Sequence, residues 1–195
     1  MNGKELFLIP NIITLSRIIF LIPAIYFLHE SQIIYASIVL IWVFISDFFD
    51  GYLARKLNQT SFLGAILDPI CDKIVVLSLF SYFFFQELVP LLYYILILIS
   101  DIAQLLSVPV LLFWKKIAFK VKPKLLPKWG TALNFIILAC VALPIIPFWK
   151  EIKFDFFENI LLFLYLISSC FEVYILLTYL PRFIQIYKGT HDTFE

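Results

Sequence analysis

Long apolar runs separated by short polar breaks cover most of the chain. Six of these runs are long enough to cross a bilayer as helices of about 20 residues. The predicted spans are 6–28, 33–56, 62–86, 89–113, 129–149 and 156–180. The pattern therefore predicts an all-α integral membrane protein with six transmembrane helices, formed by a single membrane-embedded domain over 1–195.

Composition agrees with a membrane protein. Of the 195 residues, 63% are hydrophobic, whereas soluble domains are nearer half apolar. The three cysteines, Cys71, Cys140 and Cys170, lie in separate apolar runs, and an odd number so placed argues against a disulfide framework. We expect membrane lipids around the protein and no nucleic acid partner.

Lys and Arg predict the orientation, because cytoplasmic loops carry an excess of both. With six helices the two termini share one side of the membrane. Most basic residues fall on that side, including those of the segment 114–128, while Lys150 and Lys153 fall on the other. The termini are thus predicted in the cytoplasm, in the manner of a multi-pass bacterial inner-membrane protein. The basic segment fits either attraction to anionic lipid headgroups or a role near a phosphate-bearing substrate.

Four aspartates interrupt the second and third predicted helices. Asp47 and Asp50 are three residues apart, and Asp68 and Asp72 are four apart, so each pair shares a helix face. Two antiparallel helices joined by a short loop would bring the faces together. We therefore predict one carboxylate-lined cavity, shallow in the membrane and open to the cytoplasm.

Four carboxylates repel one another at low dielectric unless they are protonated, paired with cations or bound to metal. The basic residues near enough to pair are Arg17, Arg55 and Lys73, and no histidine lies close in sequence. All-oxygen ligands suit hard ions such as Mg²⁺ or Mn²⁺. Some of the acids could instead only join helices by hydrogen bonds.

The acids belong to a longer pattern with small residues at fixed spacing. It reads Asp47-x2-Asp50-Gly51-x2-Ala54-Arg55-x8-Gly64-x3-Asp68-x3-Asp72. This resembles the signature of the CDP-alcohol phosphatidyltransferase family at every defined position. "PNIITLSRI" also resembles the family's N-terminal pattern, with Asn11, Thr14 and Arg17 in its defined positions.

The resemblance implies transfer of the phosphatidyl group of a CDP-linked lipid to an alcohol, with release of CMP. It implies that Asp47, Asp50, Asp68 and Asp72 hold two Mg²⁺ or Mn²⁺ ions, with Asp72 also the general base. The implied CDP pocket comprises Thr14, Arg17, Asp47, Gly51, Ala54, Arg55, Gly64 and Asp68. Family resemblance also implies a homodimer. The sequence places no Ser–His or Cys–His pair near the acids, so we expect a single displacement without a covalent enzyme intermediate.

The acceptor alcohol is less strongly indicated. "PKWGTALNF" resembles a pattern of the glycerophosphate and cardiolipin branches, which implies an acceptor site of Lys128, Thr131 and Asn134. The glycerophosphate branch often has a second lysine where Gly130 stands and an arginine near Ser100. This chain lacks both, which weakens the case for a phosphate-bearing acceptor. We expect glycerol 3-phosphate as the acceptor of CDP-diacylglycerol. Phosphatidylglycerol, as in cardiolipin synthases, and inositol-type acceptors are the alternatives.

Two further acids have open roles. Asp101 could pair with a basic group at the site or form a hydrogen bond to a neighbouring helix. For Glu172 we favour a structural hydrogen bond to Ser, Tyr or Thr over a role in acceptor binding. Two other functions are also possible. A metal-ion transporter would need polar residues along the whole path, and a non-catalytic paralogue would not need the complete motif.

Overall fold

The computed structural model describes residues 5, 7–59, 61–110, 125–145 and 155–189. Most of the predicted basic loop, together with Lys150 and Lys153, lies outside the described residues. Within them, six long helices follow one another without any strand. The helices are α1 (Ile9–His29), α2 (Ile33–Lys56), α3 (Phe62–Phe85), α4 (Leu91–Pro109), α5 (Leu125–Ala142, continued by the 3₁₀ turn Leu143–Ile145) and α6 (Asp155–Tyr187). The all-α, six-helix prediction is confirmed.

Two of the predicted helix ends differ from the structure at a proline, which lies inside the helix in both places. We expected the fifth helix to begin after Pro127, but the described part of α5 already includes Leu125 and Pro127. We expected the last helix to end before Pro181, but α6 continues to Tyr187. A proline inside a membrane helix removes one backbone bond without ending the helix.

By length and composition, three of the described helices could cross a membrane. These spans are Ile9–His29, Ile33–Lys56 and Phe157–Tyr187. Leu91–Ser107 and Trp129–Ile145 are shorter apolar helices. α3 has 24 residues but carries Asp68, Asp72 and Lys73 within the same stretch. These three charged residues therefore keep α3 from being a simple apolar span.

The chain forms two compact units, Met1–Leu79 and Phe80–Glu195, with the boundary inside α3. In the first unit, α1 packs along α2. Ala24 and Ala36 are fully buried, and small residues of this kind let membrane helices approach closely. The prediction of a single domain stays a prediction.

In the second unit, α6 packs against both α4 and α5. Its buried apolar residues include Ile97 on α4, Ile137 on α5 and Ile175 on α6. Gly130 is also buried, and a β-carbon there would lie 3.2 Å from Ile175 Cδ1. Glycine at this position therefore allows α5 to lie close to α6.

Candidate active site

The four aspartates of α2 and α3 lie together in the first unit, around a side chain from α1. Arg17 Nη1 lies 2.8 Å from Asp47 Oδ1 and 2.5 Å from Asp72 Oδ1. Its other terminal nitrogen, Nη2, lies 2.5 Å from Asp50 Oδ2. One guanidinium thus bridges three carboxylates from two helices. Sequence analysis named Arg17 as a residue of the nucleotide pocket and as one possible partner of the acids, but it did not single out this arginine for the central position.

Thr14 links the fourth aspartate to the group. Its hydroxyl lies 2.7 Å from Asp50 Oδ2 and 3.0 Å from Asp68 Oδ1, and 3.1 Å from its own helix at Pro10 O. A threonine hydroxyl has one proton to donate, so it can satisfy these acceptors only in part. Asp50 and Asp68 therefore lie close together with one shared hydroxyl between them.

Exposure differs strongly among the acids that contact Arg17. The exposed fraction of the side chain is 4% for Asp50, 27% for Asp72 and 55% for Asp47, while that of Arg17 is 2%. Asp50 and the guanidinium form the buried floor of the group, and Asp47 and Asp72 form its accessible edge. A ligand approaching from outside would meet these last two carboxylates first.

Beside the acids, Asn11 on α1 and Gly64 on α3 make a close helix contact. The Asn11 side chain donates to Glu5 O at 2.7 Å and to Ser61 Oγ at 3.1 Å. Ser61 Oγ in turn accepts the N–H of Gly64 at 2.9 Å, which is the bond of a helix N-cap. A β-carbon on Gly64 would lie 2.6 Å from Asn11 Oδ1. Gly64 is thus covered by Asn11, and its assignment to the CDP pocket stays a prediction.

Gly51 has different surroundings. A β-carbon there would meet nothing within 4 Å, so open space borders α2 one residue beyond Asp50. Ala54 follows one turn later and is half-buried, and Arg55 is exposed in the last turn of the helix. Gly51 lies four residues after Asp47, so the open space borders the helix face that also carries Asp47.

The carboxylates fit a divalent metal ion in donor type and in their convergence on one cation. Hard divalent ions prefer such oxygen ligands. As the side chains are placed, however, the described residues form no group of three or more His, Cys, Asp or Glu that could hold a metal ion. The acids are instead spaced around a guanidinium.

The predicted acceptor residues lie on α5, in the second unit. The structure does not describe the side chain of Lys128, and Thr131 is half-buried. Asn134 is fully buried, and its amide is held by other helices. Nothing in the second unit assigns these three residues to an acceptor, so that role stays a prediction.

Asn134 belongs to a buried polar chain that joins α4, α5 and α6. Tyr93 donates to Ser168 Oγ at 3.0 Å, Ser168 donates to Asn134 Oδ1 at 2.8 Å, and Asn134 Nδ2 donates to Glu172 Oε1 at 2.9 Å. The structural bond expected for Glu172 is present, but its donor is an amide rather than a hydroxyl. Sequence reasoning missed Tyr93 and Ser168, although Ser168 lies four residues before Glu172 and so on its helix face.

Two neighbouring positions of α4, Ser100 and Asp101, are also fully buried. Neither of the two roles expected for Asp101 is decided, and both stay predictions.

Comparison with known protein families identifies the group to which the chain is related. The family model described as CDP-alcohol phosphatidyltransferase matches residues 7–175, which include α1 to α5 and much of α6. The chain belongs to the CDP-alcohol phosphatidyltransferase family. The resemblance inferred from the aspartate motif is thereby confirmed.

Individual relatives in this family share part of the chain. A protein of Aquifex aeolicus named CDP-diacylglycerol–glycerol-3-phosphate 3-phosphatidyltransferase is 39% identical over 92 residues, covering 46% of this chain and 52% of the relative. One of the same name from Wigglesworthia glossinidia brevipalpis is 46% identical over 71 residues, covering 35% of this chain and 39% of the relative.

A longer match joins the chain to a protein of Schizosaccharomyces pombe named cardiolipin synthase (CMP-forming) / mitochondrial hydrolase fusion protein. It is 29% identical over 151 residues, covering 69% of this chain and 25% of that protein. The chain thus spans about half or less of the length of these curated relatives. No solved structure matches the chain significantly.

Proposed function

We propose that this chain transfers the phosphatidyl group of CDP-diacylglycerol to an alcohol, releases CMP, and uses glycerol 3-phosphate as that alcohol. The observation that carries the proposal is the convergence of Asp47, Asp50 and Asp72 on the buried Arg17, with Asp68 joined to Asp50 through Thr14, in a chain of this family. The names of the Aquifex and Wigglesworthia relatives support the acceptor.

The four aspartates would hold Mg²⁺ or Mn²⁺, for which two ions are expected. Once bound, the metal supplies charge neutralisation at the diphosphate oxygens and stabilises CMP as the leaving group. The chain's own contribution is to keep carboxylates of two helices within reach of one another. Thr14 and Arg17 do this from α1.

Asp72 is suited to receive the proton of the acceptor hydroxyl. Its carboxylate lies at the accessible edge of the group, with one oxygen on Arg17, whereas Asp50 is enclosed. A general base must come within hydrogen-bond reach of the proton that it removes. The hydroxyl oxygen would then form the new bond to the lipid-bearing phosphorus as the bond to the CMP oxygen breaks.

The open space beside Gly51 is the proposed place of the nucleotide. Gly51 lies on α2 between Asp50 and Arg55, and Arg55 is exposed. Arginine presents a planar set of donors that matches phosphate oxygens. This arrangement would let the diphosphate lie between the aspartates and the end of α2.

Phosphatidylglycerol is the second candidate acceptor. The match to the fission yeast relative covers more of this chain than the two bacterial matches do. In addition, Gly130 is tightly packed against α6, so a second lysine at that position would require the helices to move apart. Cardiolipin formation is therefore the alternative that an acceptor experiment must separate from the first.

The test is an acceptor screen with purified protein in detergent. CDP-diacylglycerol and Mg²⁺ or Mn²⁺ would be combined with glycerol 3-phosphate, phosphatidylglycerol or inositol phosphate, and CMP release measured. We expect release with glycerol 3-phosphate and a lipid product that carries the glycerol phosphate. Asp50→Asn, prepared in the same way, serves as the inactive control.

Each other outcome of the screen is informative. Release with phosphatidylglycerol alone would establish the second candidate. The absence of CMP release with every acceptor, in protein that still unfolds cooperatively, would contradict the enzymatic function.

Sidedness and assembly complete the proposal. We place both termini and the aspartate group at the cytoplasmic face, because the basic residues concentrate on that side of the predicted topology. Family resemblance supports a homodimer, which light scattering of the detergent-solubilised protein would test.

A further inference from the structure

Arg17 occupies the position at which the acids converge. The guanidinium is 2% exposed and contacts Asp47, Asp50 and Asp72 through its two terminal nitrogens. Each contact is within hydrogen-bond distance, so the carboxylate oxygens are turned toward the arginine. Its positive charge therefore offsets part of the repulsion among the acids.

The arginine is incompletely satisfied in this position. Its Nε is buried and has no hydrogen-bond partner among the described residues. A buried N–H group without a partner lowers stability, and most buried polar groups in proteins are paired. The charge of Arg17 is thus well compensated, while its hydrogen bonding is not.

The carboxylates that contact Arg17 are also among those that would hold the metal in the proposed function. A divalent ion requires several carboxylate oxygens at about 2.0–2.6 Å, and the aspartates as placed offer no such group. A guanidinium and a metal ion at the same oxygens would repel each other at short range. The two cations should therefore compete for Asp47, Asp50 and Asp72.

We propose that Arg17 is the resident counter-ion of the metal-free site and that it gives up its contacts with the aspartates when divalent metal binds. This inference rests on the metal site of the proposed function. It gives Arg17 a positioning role, because the arginine keeps the acids gathered before metal arrives. The ligand that replaces it is a hard divalent cation.

The experiment measures metal binding directly. The purified protein and its Arg17→Met variant would be stripped of metal with chelator in detergent and titrated with Mn²⁺, with free Mn²⁺ followed by electron paramagnetic resonance. Methionine retains an unbranched side chain without the charge. Because no arginine then has to be displaced, we expect the Kd for Mn²⁺ to fall by roughly 5- to 150-fold, the range typical of coupled binding.

Thermal unfolding of the same samples supplies a second measurement. Without metal, Arg17→Met should have a lower midpoint than the unsubstituted protein, because its acids repel without compensation. Added Mn²⁺ should recover most of the difference. Arg17→Lys keeps the charge with fewer donors and should give intermediate values in both measurements.

A matched control removes a guanidinium elsewhere. Arg182 lies on α6 in the second unit, and Arg182→Met should leave the Kd for Mn²⁺ unchanged. This separates competition at the aspartates from a general change in protein charge.

Three results would overturn the proposal. One is an unchanged or weaker Mn²⁺ affinity in Arg17→Met, which would make the arginine a partner of the metal rather than its competitor. Another is an Arg17→Met protein that stays unfolded in excess Mn²⁺, since metal should then replace the missing charge. Failure of the unsubstituted protein to bind Mn²⁺ would overturn the metal site of the proposed function as well.

Discussion

Gly51 and Gly64 are both helical glycines of the aspartate motif, yet their surroundings differ. At Gly64 a β-carbon would collide with the Asn11 side chain, while at Gly51 it would enter open space. Sequence reasoning gave both the same role, because spacing shows which residues share a pattern but not which neighbour covers them. The first glycine therefore borders open space, and the second lies at a close contact between helices.

The same substitution should have opposite effects at these two glycines. Gly64→Ala forces Asn11 to move, and we expect the free energy of unfolding to fall by about 1–3 kcal/mol. Gly51→Ala meets no atom and should raise it by about 0.4–1 kcal/mol while weakening CDP-diacylglycerol binding. Unfolding in detergent and equilibrium lipid binding would measure both effects. Equal losses of stability would contradict the assignment.

Asp72→Asn and Asp47→Asn should have different effects on turnover and on nucleotide binding. Asparagine cannot accept the acceptor proton, so Asp72→Asn should lower kcat by at least about 100-fold, the smaller end of general-base effects. Nucleotide binding should survive better in Asp72→Asn than in Asp47→Asn. Steady-state CMP release and binding of labelled CDP-diacylglycerol would test this. Equal loss of binding in both variants would argue against this division of roles.

At the scale of helices, hydropathy predicted the existence and order of all six elements, because each holds a long apolar run. It did not predict that Arg17 lies among the acids of two other helices. Asn11, Thr14 and Arg17 recur at intervals of three and are all buried on α1, which indicates a shared face. Which helix covers that face depends on packing, and local spacing carries no information about it.

The structural role of Asn134 at the contact between α5 and α6 can be tested by substitution. Asn134→Ala removes the donor to Glu172 Oε1 and the acceptor of Ser168, so we expect a loss of about 1–3 kcal/mol in unfolding free energy. A double-mutant cycle with Glu172→Ala should show coupling, measured by chemical unfolding in detergent.

Ser168→Ala is the control for that cycle, because it leaves the bond between Asn134 and Glu172 in place. It should therefore lower the free energy of unfolding by less than Asn134→Ala does. Unchanged stability of Asn134→Ala, with loss of activity toward glycerol 3-phosphate, would instead favour the acceptor-binding role predicted from sequence.

For the molecule as a whole, the sequence predicts orientation from charge, and the two short connections of the first unit make it testable. Glu30 lies between α1 and α2, and Leu57 lies just after α2; both are exposed. The predicted topology puts them on opposite sides of the membrane. The distribution of Lys and Arg assigns Leu57 to the cytoplasm.

Cysteine labelling would measure that orientation. In a background with Cys71, Cys140 and Cys170 changed to alanine, an impermeant maleimide added to intact cells should label Glu30→Cys but not Leu57→Cys. Inverted membrane vesicles should give the reverse pattern. Labelling of Leu57→Cys in intact cells would place the aspartate group on the outer face.

The charges of α3 also bear on how the protein is made. Every 18-residue stretch of this helix contains Asp68, Asp72 and Lys73, so α3 is poorly suited to enter the lipid alone. α1 leaves the ribosome earlier and carries Arg17, the partner of Asp72. The order of synthesis therefore supplies the basic group before the acid that it neutralises, which favours joint insertion of the first three helices during biogenesis.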